Sequence, residues 1–276
     1  MTIANFDEID EFAREAYRLA EESAGVIKFS VTEGLTKNSR SITASAPYHI
    51  GNTPQFVTLE TTHGVAGWAV LLAVDLRKSS DRAVKIGAKK TFLTMHTYIP
   101  TMAELVVRNG GKVGSLRGDG LFAVFGFKEN TYPPSPVTQA EGEAAINNAT
   151  CCGRAMIEAT KEILNPILTE KDIEAGLVVG VGMSTGEVVV TQIGVDDAVE
   201  RTLYGTPVNH ACKASGGHNE IILAQSAKDI YPKAVGGTAG FRSRPLAGGL
   251  NGYLLDLPAS YRGMGQRLLP PPRHPR

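Results

Sequence analysis

Two spacings of hydrophobic positions alternate along this chain, and the switches between them mark its elements. Over residues 5–22, Phe6, Ile9, Phe12, Ala13, Ala16, Tyr17 and Ala20 fall on one helical face, with acidic residues and Arg14 opposite. This predicts an amphipathic helix that packs on the core or on a second subunit. Residues 30–64 are polar and β-prone without a clear period, and Tyr48 there reads as an exposed loop aromatic. From Trp68 the pattern sharpens. Ala69 to Leu76 is an apolar run ending in Asp75-Leu76, predicted as a strand buried on both faces. Residues 81–108 predict a helix with Ile86, Met95, Ile99, Met102 and Leu105 inward, a kink at Pro100, and a stop at Asn109-Gly110-Gly111.

Lys112–Leu116 and Leu121–Phe127 predict a hairpin around Arg117-Gly118-Asp119-Gly120. A proline-rich loop, TYPPSP, leads into a helix over 139–164 that Pro166 halts. Leu177–Met183 and Val188–Ile193 predict two strands joined by Ser184-Thr185-Gly186. A short strand ending at Tyr204, a helix over 207–215, and strands at Glu220–Ala224 and Gly252–Leu257 follow, then a disordered tail, LLPPPRHPR. Strand, helix, hairpin, helix, strand is the order of an α+β fold of ferredoxin-like βαββαβ type. It divides the chain into an N-terminal helix and irregular segment (1–64), a catalytic-sized domain (65–258) and a tail (259–276).

Charge narrows the function. Lys and Arg together number 28, as do Asp and Glu, so no global field draws the 276-residue chain to nucleic acid or a membrane surface. No apolar run approaches the ~18–20 residues of a membrane span, and the polar, acidic N-terminus is unlike a signal or transit peptide. Three cysteines, Cys151, Cys152 and Cys212, give neither a disulfide framework nor a zinc spacing, which points to the reducing cytoplasm.

The candidate chemistry lies in two carboxylates. Asp75 ends an apolar strand, and Asp119 stands in a Gly-Asp-Gly turn that opens another. One helix and a return strand separate them, so neighbouring strands would bring both to one edge of the sheet. Two ionised carboxylates there repel and need a cation, and hard oxygen ligands suit Mg²⁺ or Mn²⁺. Each has a plainer reading alone. Asp-Gly marks tight hairpins, and Asp75 could begin the following helix, although Ser79, Ser80 and Asp81 are better placed as caps.

Three segments together resemble the class III nucleotidyl cyclases. These are AVLLAVDLRKSS, GGKVGSLRGDGLFAVFG, and GLVVGVGMSTGEVVVTQIG followed by RTLYGTPVNHACKAS, spanning about residues 66–225. Each is weak alone, but three in order with workable spacing make a strong signal. The resemblance implies a homodimer with composite sites. One subunit would give Asp75, Asp119 and the backbone carbonyl of Leu76 to two Mn²⁺ or Mg²⁺ ions. The other would give Asn209 to orient the ribose and Lys213 to stabilise the reacting phosphate. Two positions depart from the family pattern: Lys213 stands where Arg is usual, and Asn251 where a phosphate-binding Lys often precedes the last strand. Arg242, Arg244 or another cation is left to substitute.

The positions that read purines in the family are Ser115 and Thr202 here, and neither carries the purine code. The pattern is most similar to the bacterial Pycsar pyrimidine cyclases. That similarity implies a nucleoside triphosphate substrate, UTP ahead of CTP, a cyclic-nucleotide-binding effector downstream and a role in anti-phage defence. The alternatives are a CTP- or ATP-using cyclase and a degenerate cyclase-like module that binds nucleotide or dimerises. The GG(D/E)EF signature of diguanylate cyclases is absent.

Overall fold

The computed structural model describes residues 5–26, 49–52, 56, 63–131, 137–195, 198–232 and 239–257. Most of the irregular segment, Tyr48 included, most of the TYPPSP loop and the C-terminal tail lie outside the described residues. The elements are α1 (Phe6–Val26), β1 (Gly64–Leu76), α2 (Ser79–Arg108), β2 (Lys112–Arg117), β3 (Gly120–Glu129), α3 (Gln139–Ala159), α4 (Asn165–Glu170), β4 (Val179–Val195), β5 (Ala198–Tyr204), α5 (Thr206–Ala214), β6 (Glu220–Ala224), α6 (Gln225–Asp229), β7 (Gly240–Ser243) and β8 (Gly252–Asp256). One sheet runs β2-β3-β1-β4-β6-β8-β7, with β5 paired to the far part of β4. Its first half, β2-β3-β1-β4, is antiparallel throughout, the ferredoxin-like arrangement that the element order predicts. The pairing of β4 with β6 is parallel and extends the sheet.

β1 has a core on each side. Val70, Leu72, Val74 and Leu76 face the helices, in one cluster with α1, α2 and α3. Ala69, Leu71 and Ala73 join the other cluster, with Phe122, Val190, Leu203 and the α5 residues Val208 and Ala211. Period-two alternation therefore turns Asp75 to the α5 side and buries Leu76 among the helices. Leu71 is wholly enclosed, so truncation to Ala would cost about 2–5 kcal/mol.

α1 packs on the core: Phe6, Ile9, Ala13, Ala16, Tyr17 and Ala20 are buried, and Phe12 partly so. Ion pairs from Arg14 to Glu170 and from Arg108 to Glu8 tie it to α4 and α2. These pairs are exposed and add little stability beside the apolar face. α3 starts at a capping box, in which Thr138 Oγ1 accepts from the Glu141 amide and the Glu141 carboxylate accepts from the Thr138 amide.

Four expectations need correction. The break in α2 falls at Gly87 (φ 79°, ψ 167°), whereas Pro100 stays inside the helix. Proline's φ suits a helix at the cost of one hydrogen bond, but only glycine enters that region without strain. Pro166 does not stop the third helix. A π turn at Thr160–Leu164 resets the ladder so that Pro166 falls in the first turn of α4, where its missing N–H costs nothing. Ser184-Thr185-Gly186 is no turn, because β4 runs through it unbroken. Thr185 Oγ1 donates to the Ala69 carbonyl of β1 at 2.9 Å, and Ser184 Oγ meets Ser226 Oγ of α6 at 3.2 Å, so both buried hydroxyls have partners. The residue capping α2 is Lys78, in the left-handed conformation and without a side-chain cap, rather than Ser79, Ser80 or Asp81.

Candidate functional site

Strand register places the two carboxylates at one end of the sheet. Asp75 pairs with Gly120 across β1 and β3, and Asp119 is the residue before, in a two-residue turn whose Gly118 has φ 58°. Gly120 must lack a side chain. A Cβ there would lie 2.6 Å from the Val74 carbonyl oxygen and 3.4 Å from Asp75 Oδ1. The Asp75 carboxylate thus lies over the backbone adjoining Asp119.

Two cavities open at this end. Asp75 lines one of about 210 Å³ with Arg77, Arg117, Phe122, Cys212 and Ser215. Asp119 lines another of about 250 Å³ with Leu76 and the first turn of α2, Ser79 and Ser80. Among the described residues, no group of three or more His, Cys, Asp or Glu makes an all-protein metal cage. Two carboxylates and a main-chain carbonyl are instead the donor set of Mg²⁺ or Mn²⁺, ions that keep water or phosphate oxygens in their remaining positions. The residues fit such an ion, and Asp75 already carries a cationic partner, since the Arg77 guanidinium pairs with it.

Arg77, Arg117 and Tyr98 do not stand out in the sequence. Arg117 stacks over the Phe122 ring, 5.5 Å from its centroid. Tyr98 of α2 is fully buried, and its hydroxyl has no hydrogen-bond partner among the described residues. Burial first, and the Asp119 charge next, push its pKa up, while Arg77 opposes them.

α5 presents its chemistry elsewhere. Pro207 occupies its first turn, Val208, Ala211 and Ala214 are buried, and Asn209 and Lys213 are exposed one turn apart. Neither lines the cavity that holds Asp75. α5 and the turn after it contribute Cys212, Ser215 and Gly216 there instead. Lys213 reaches the segment between β7 and β8, where a Cβ on Gly248 would come 3.1 Å from its Nζ. Both substitute cations suggested for Asn251 are engaged: Arg242 pairs with Asp256, and Arg244 with Glu220 at 3.5 Å.

Ser115 and Thr202 are both buried, on β2 and β5. They face different surroundings. Ser115 lines an open cavity with His49, Gln192 and Arg201, and Thr202 is not among its lining residues. His49 gave no sequence signal. Its Nδ1 accepts from the Gly51 amide at 3.0 Å, and burial lowers its pKa.

No family model matches the chain, and no curated protein matches it in sequence. Solved structures do. The adenylyl cyclase CyaB from P. aeruginosa aligns with a TM-score of 0.56 at 18% identity, over 71% of this chain and 97% of that one. The guanylyl cyclase Cya2 aligns at 0.55 and 23% identity, over 70% and 91%. The guanylate cyclase domain of RhGC from Catenaria anguillulae, in complex with GTP, aligns at 0.54 and 15% identity, over 70% and 98%. With its eight-stranded sheet and helical layer, the chain has the α+β fold of these cyclase catalytic domains.

Proposed function

We propose that the protein is a nucleotidyl cyclase that converts UTP to 3′,5′-cyclic UMP and pyrophosphate. The observation that carries this reading is the register of Asp75 opposite Gly120, which sets two carboxylates at one sheet end in a fold shared with cyclase domains. Asp75, Asp119 and the Leu76 carbonyl would hold two Mn²⁺ or Mg²⁺ ions. Those ions supply a lowered pKa at the attacking 3′-hydroxyl and charge neutralisation at the leaving pyrophosphate.

Asn209 and Lys213, exposed and outside the lining of the Asp75 cavity, act across a homodimer interface. The partner subunit's Asn209 orients the ribose, and the partner subunit's Lys213 stabilises charge growing on the α-phosphate. Lysine keeps the charge of the usual arginine but gives up its planar fork, so it acts as a point charge. Ser115 and Thr202 stand at the two positions where the family reads a purine, and neither side chain is long enough to do so. By the Pycsar resemblance, cyclic UMP serves as a messenger in cytoplasmic anti-phage defence, read by a cyclic-nucleotide-binding effector. No helix among the described residues is long and apolar enough to cross a membrane.

A second reading has its own support. One similar structure is that of a class III adenylyl cyclase-like ATP-binding protein from Pseudomonas aeruginosa, with a TM-score of 0.53 at 20% identity over 65% of this chain and 38% of that one. Incubating the protein with ATP, GTP, CTP or UTP and Mn²⁺, then separating the products, decides between them. Cyclic UMP is expected. Cyclic CMP or cyclic AMP would change the base, and nucleotide bound but unconverted would favour the binding module.

A further inference from the structure

The cation beside Asp75 belongs to the chain itself. Arg77 follows the last residue of β1, and its amide donates to the Val178 carbonyl at 2.8 Å, which prolongs the strand geometry and fixes where the side chain starts. One end of the guanidinium pairs with the Asp75 carboxylate, while its Nε is buried with no hydrogen-bond partner among the described residues. The Tyr98 hydroxyl feels both the Asp119 carboxylate and the Arg77 guanidinium, with opposite signs, so Arg77 shares its surroundings with the second carboxylate as well. Arg117, on the same cavity, is committed to the Phe122 ring.

A buried donor left unpaired is costly, and a strand-end arginine exposed to solvent would satisfy all five of its N–H groups with water. Arg77 forgoes that and neutralises the carboxylate that a divalent ion would require. Resting on the two-metal reading above, we propose that Arg77 is the resident counter-cation of the site. It holds Asp75 while no metal is bound and gives up the carboxylate when a divalent ion arrives. The cavity of about 210 Å³ that Asp75, Arg77 and Arg117 all line receives the displaced guanidinium. Metal binding then has a built-in competitor, which raises the divalent-ion concentration at which the site loads.

The test is Mn²⁺ binding to full-length protein without nucleotide, followed by the loss of the free-ion electron paramagnetic resonance signal. Arg77→Met removes the charge and keeps the length. It should bind Mn²⁺ about tenfold more tightly, the scale expected when one unit charge a few ångströms away is removed from a partly solvated site. Arg77→Lys keeps the charge and should stay near wild type. Without metal, thermal unfolding should show Arg77→Met less stable than wild type, and Mn²⁺ should close that gap. Equal or weaker Mn²⁺ binding by Arg77→Met overturns the proposal. Equal tightening by Arg77→Lys also overturns it, since the effect would then be geometric. Should Arg77→Met fail to fold, Arg77→Gln replaces it in the same comparison. Asp75→Asn and Asp119→Asn test the underlying reading separately: if Mn²⁺ binds them as it binds wild type, the two-metal site itself is wrong.

Discussion

A Cβ atom on Gly182 would lie 2.1 Å from the carbonyl oxygen of Ala211. β4 and α5 therefore meet backbone to backbone, and the same holds one step along, where a Cβ on Gly180 would lie 2.0 Å from the Ser215 carbonyl oxygen. This close approach seats α5 on the sheet and fixes where Asn209 and Lys213 emerge. Gly182→Ala should cost about 1–3 kcal/mol as an overpacking change. Thermal unfolding should fall by roughly 2–4 °C for each kcal/mol in a chain of this size. An unchanged melting temperature would contradict the contact.

Asp75→Ala and Asp119→Ala should each lower turnover by roughly two orders of magnitude or more, the scale of a lost metal contribution. Circular dichroism should be unaltered, because neither side chain is part of a hydrophobic cluster. Chelation with EDTA should abolish turnover of wild type, and added Mn²⁺ should restore it. A variant that keeps most of its activity would refute the assignment of that carboxylate.

Substrate choice is a sharper risk. UTP should be consumed with kcat/KM at least about tenfold above ATP or GTP, since at Ser115 no long polar side chain reads a purine edge, and one lost polar contact of 1.4 kcal/mol corresponds to that factor. Comparable kcat/KM for ATP would remove the pyrimidine assignment and leave the cyclase one.

The carboxylate pair was legible because an aspartate closing an apolar strand conflicts with burial unless a cation attends it. The local partner of Asp75 was not. Arg77 in sequence is one more polar residue after a strand, and only the fold reveals its ion pair. β4 misled for a related reason: Ser184, Thr185 and Gly186 carry turn chemistry, yet β1 pairs with all three and Ala69 accepts the Thr185 hydroxyl. Long-range pairing outvoted local propensity. Gly87 and Pro100 exchanged roles because a sequence shows which residue disfavours a helix but not where the helix must bend. His49 was hidden in a segment without period, and its cavity is assembled from β2, β4 and β5.

Composite sites can be tested by complementation. Asp75→Ala and Asn209→Ala are each inactive in the proposed dimer, but a mixed dimer gathers both defects in one site and leaves the other whole. Random exchange should recover roughly a quarter of wild-type activity in a two-fold symmetric dimer. Zero recovery, with exchange confirmed by mass spectrometry, would place Asp75 and Asn209 in a site formed by one subunit.

The thiols should separate by environment. Cys212 is exposed, Cys151 is half-buried with its pKa pushed up to about 11 by burial, and Cys152 is fully buried with its pKa raised well above the ordinary thiol value by burial. A disulfide reagent at pH 8 should modify Cys212 quickly, and the other two only on unfolding, because the thiolate is the reactive form. Cys212 lines the Asp75 cavity, so this modification should also inhibit turnover. Rapid reaction of two or three thiols per chain would contradict the packing of α3.

Gly87 gives α2 the mechanics of two levers rather than one. The long piece, through Arg108, is bound to Glu8 of α1. The short piece, Ser79–Ile86, is held by the connection ahead of β4: Arg82 donates to the carbonyls of Glu174 and Ala175, and Lys85 pairs with Glu174 at 2.8 Å. Lys90, just beyond the glycine, pairs with Asp172 of the same connection at 3.6 Å. A side chain on Gly87 would touch nothing within 4 Å, so its backbone conformation and not crowding calls for glycine. The linker ahead of β4 therefore grips α2 on both sides of its break, next to the turn that sets Ser79 and Ser80 beside Asp119.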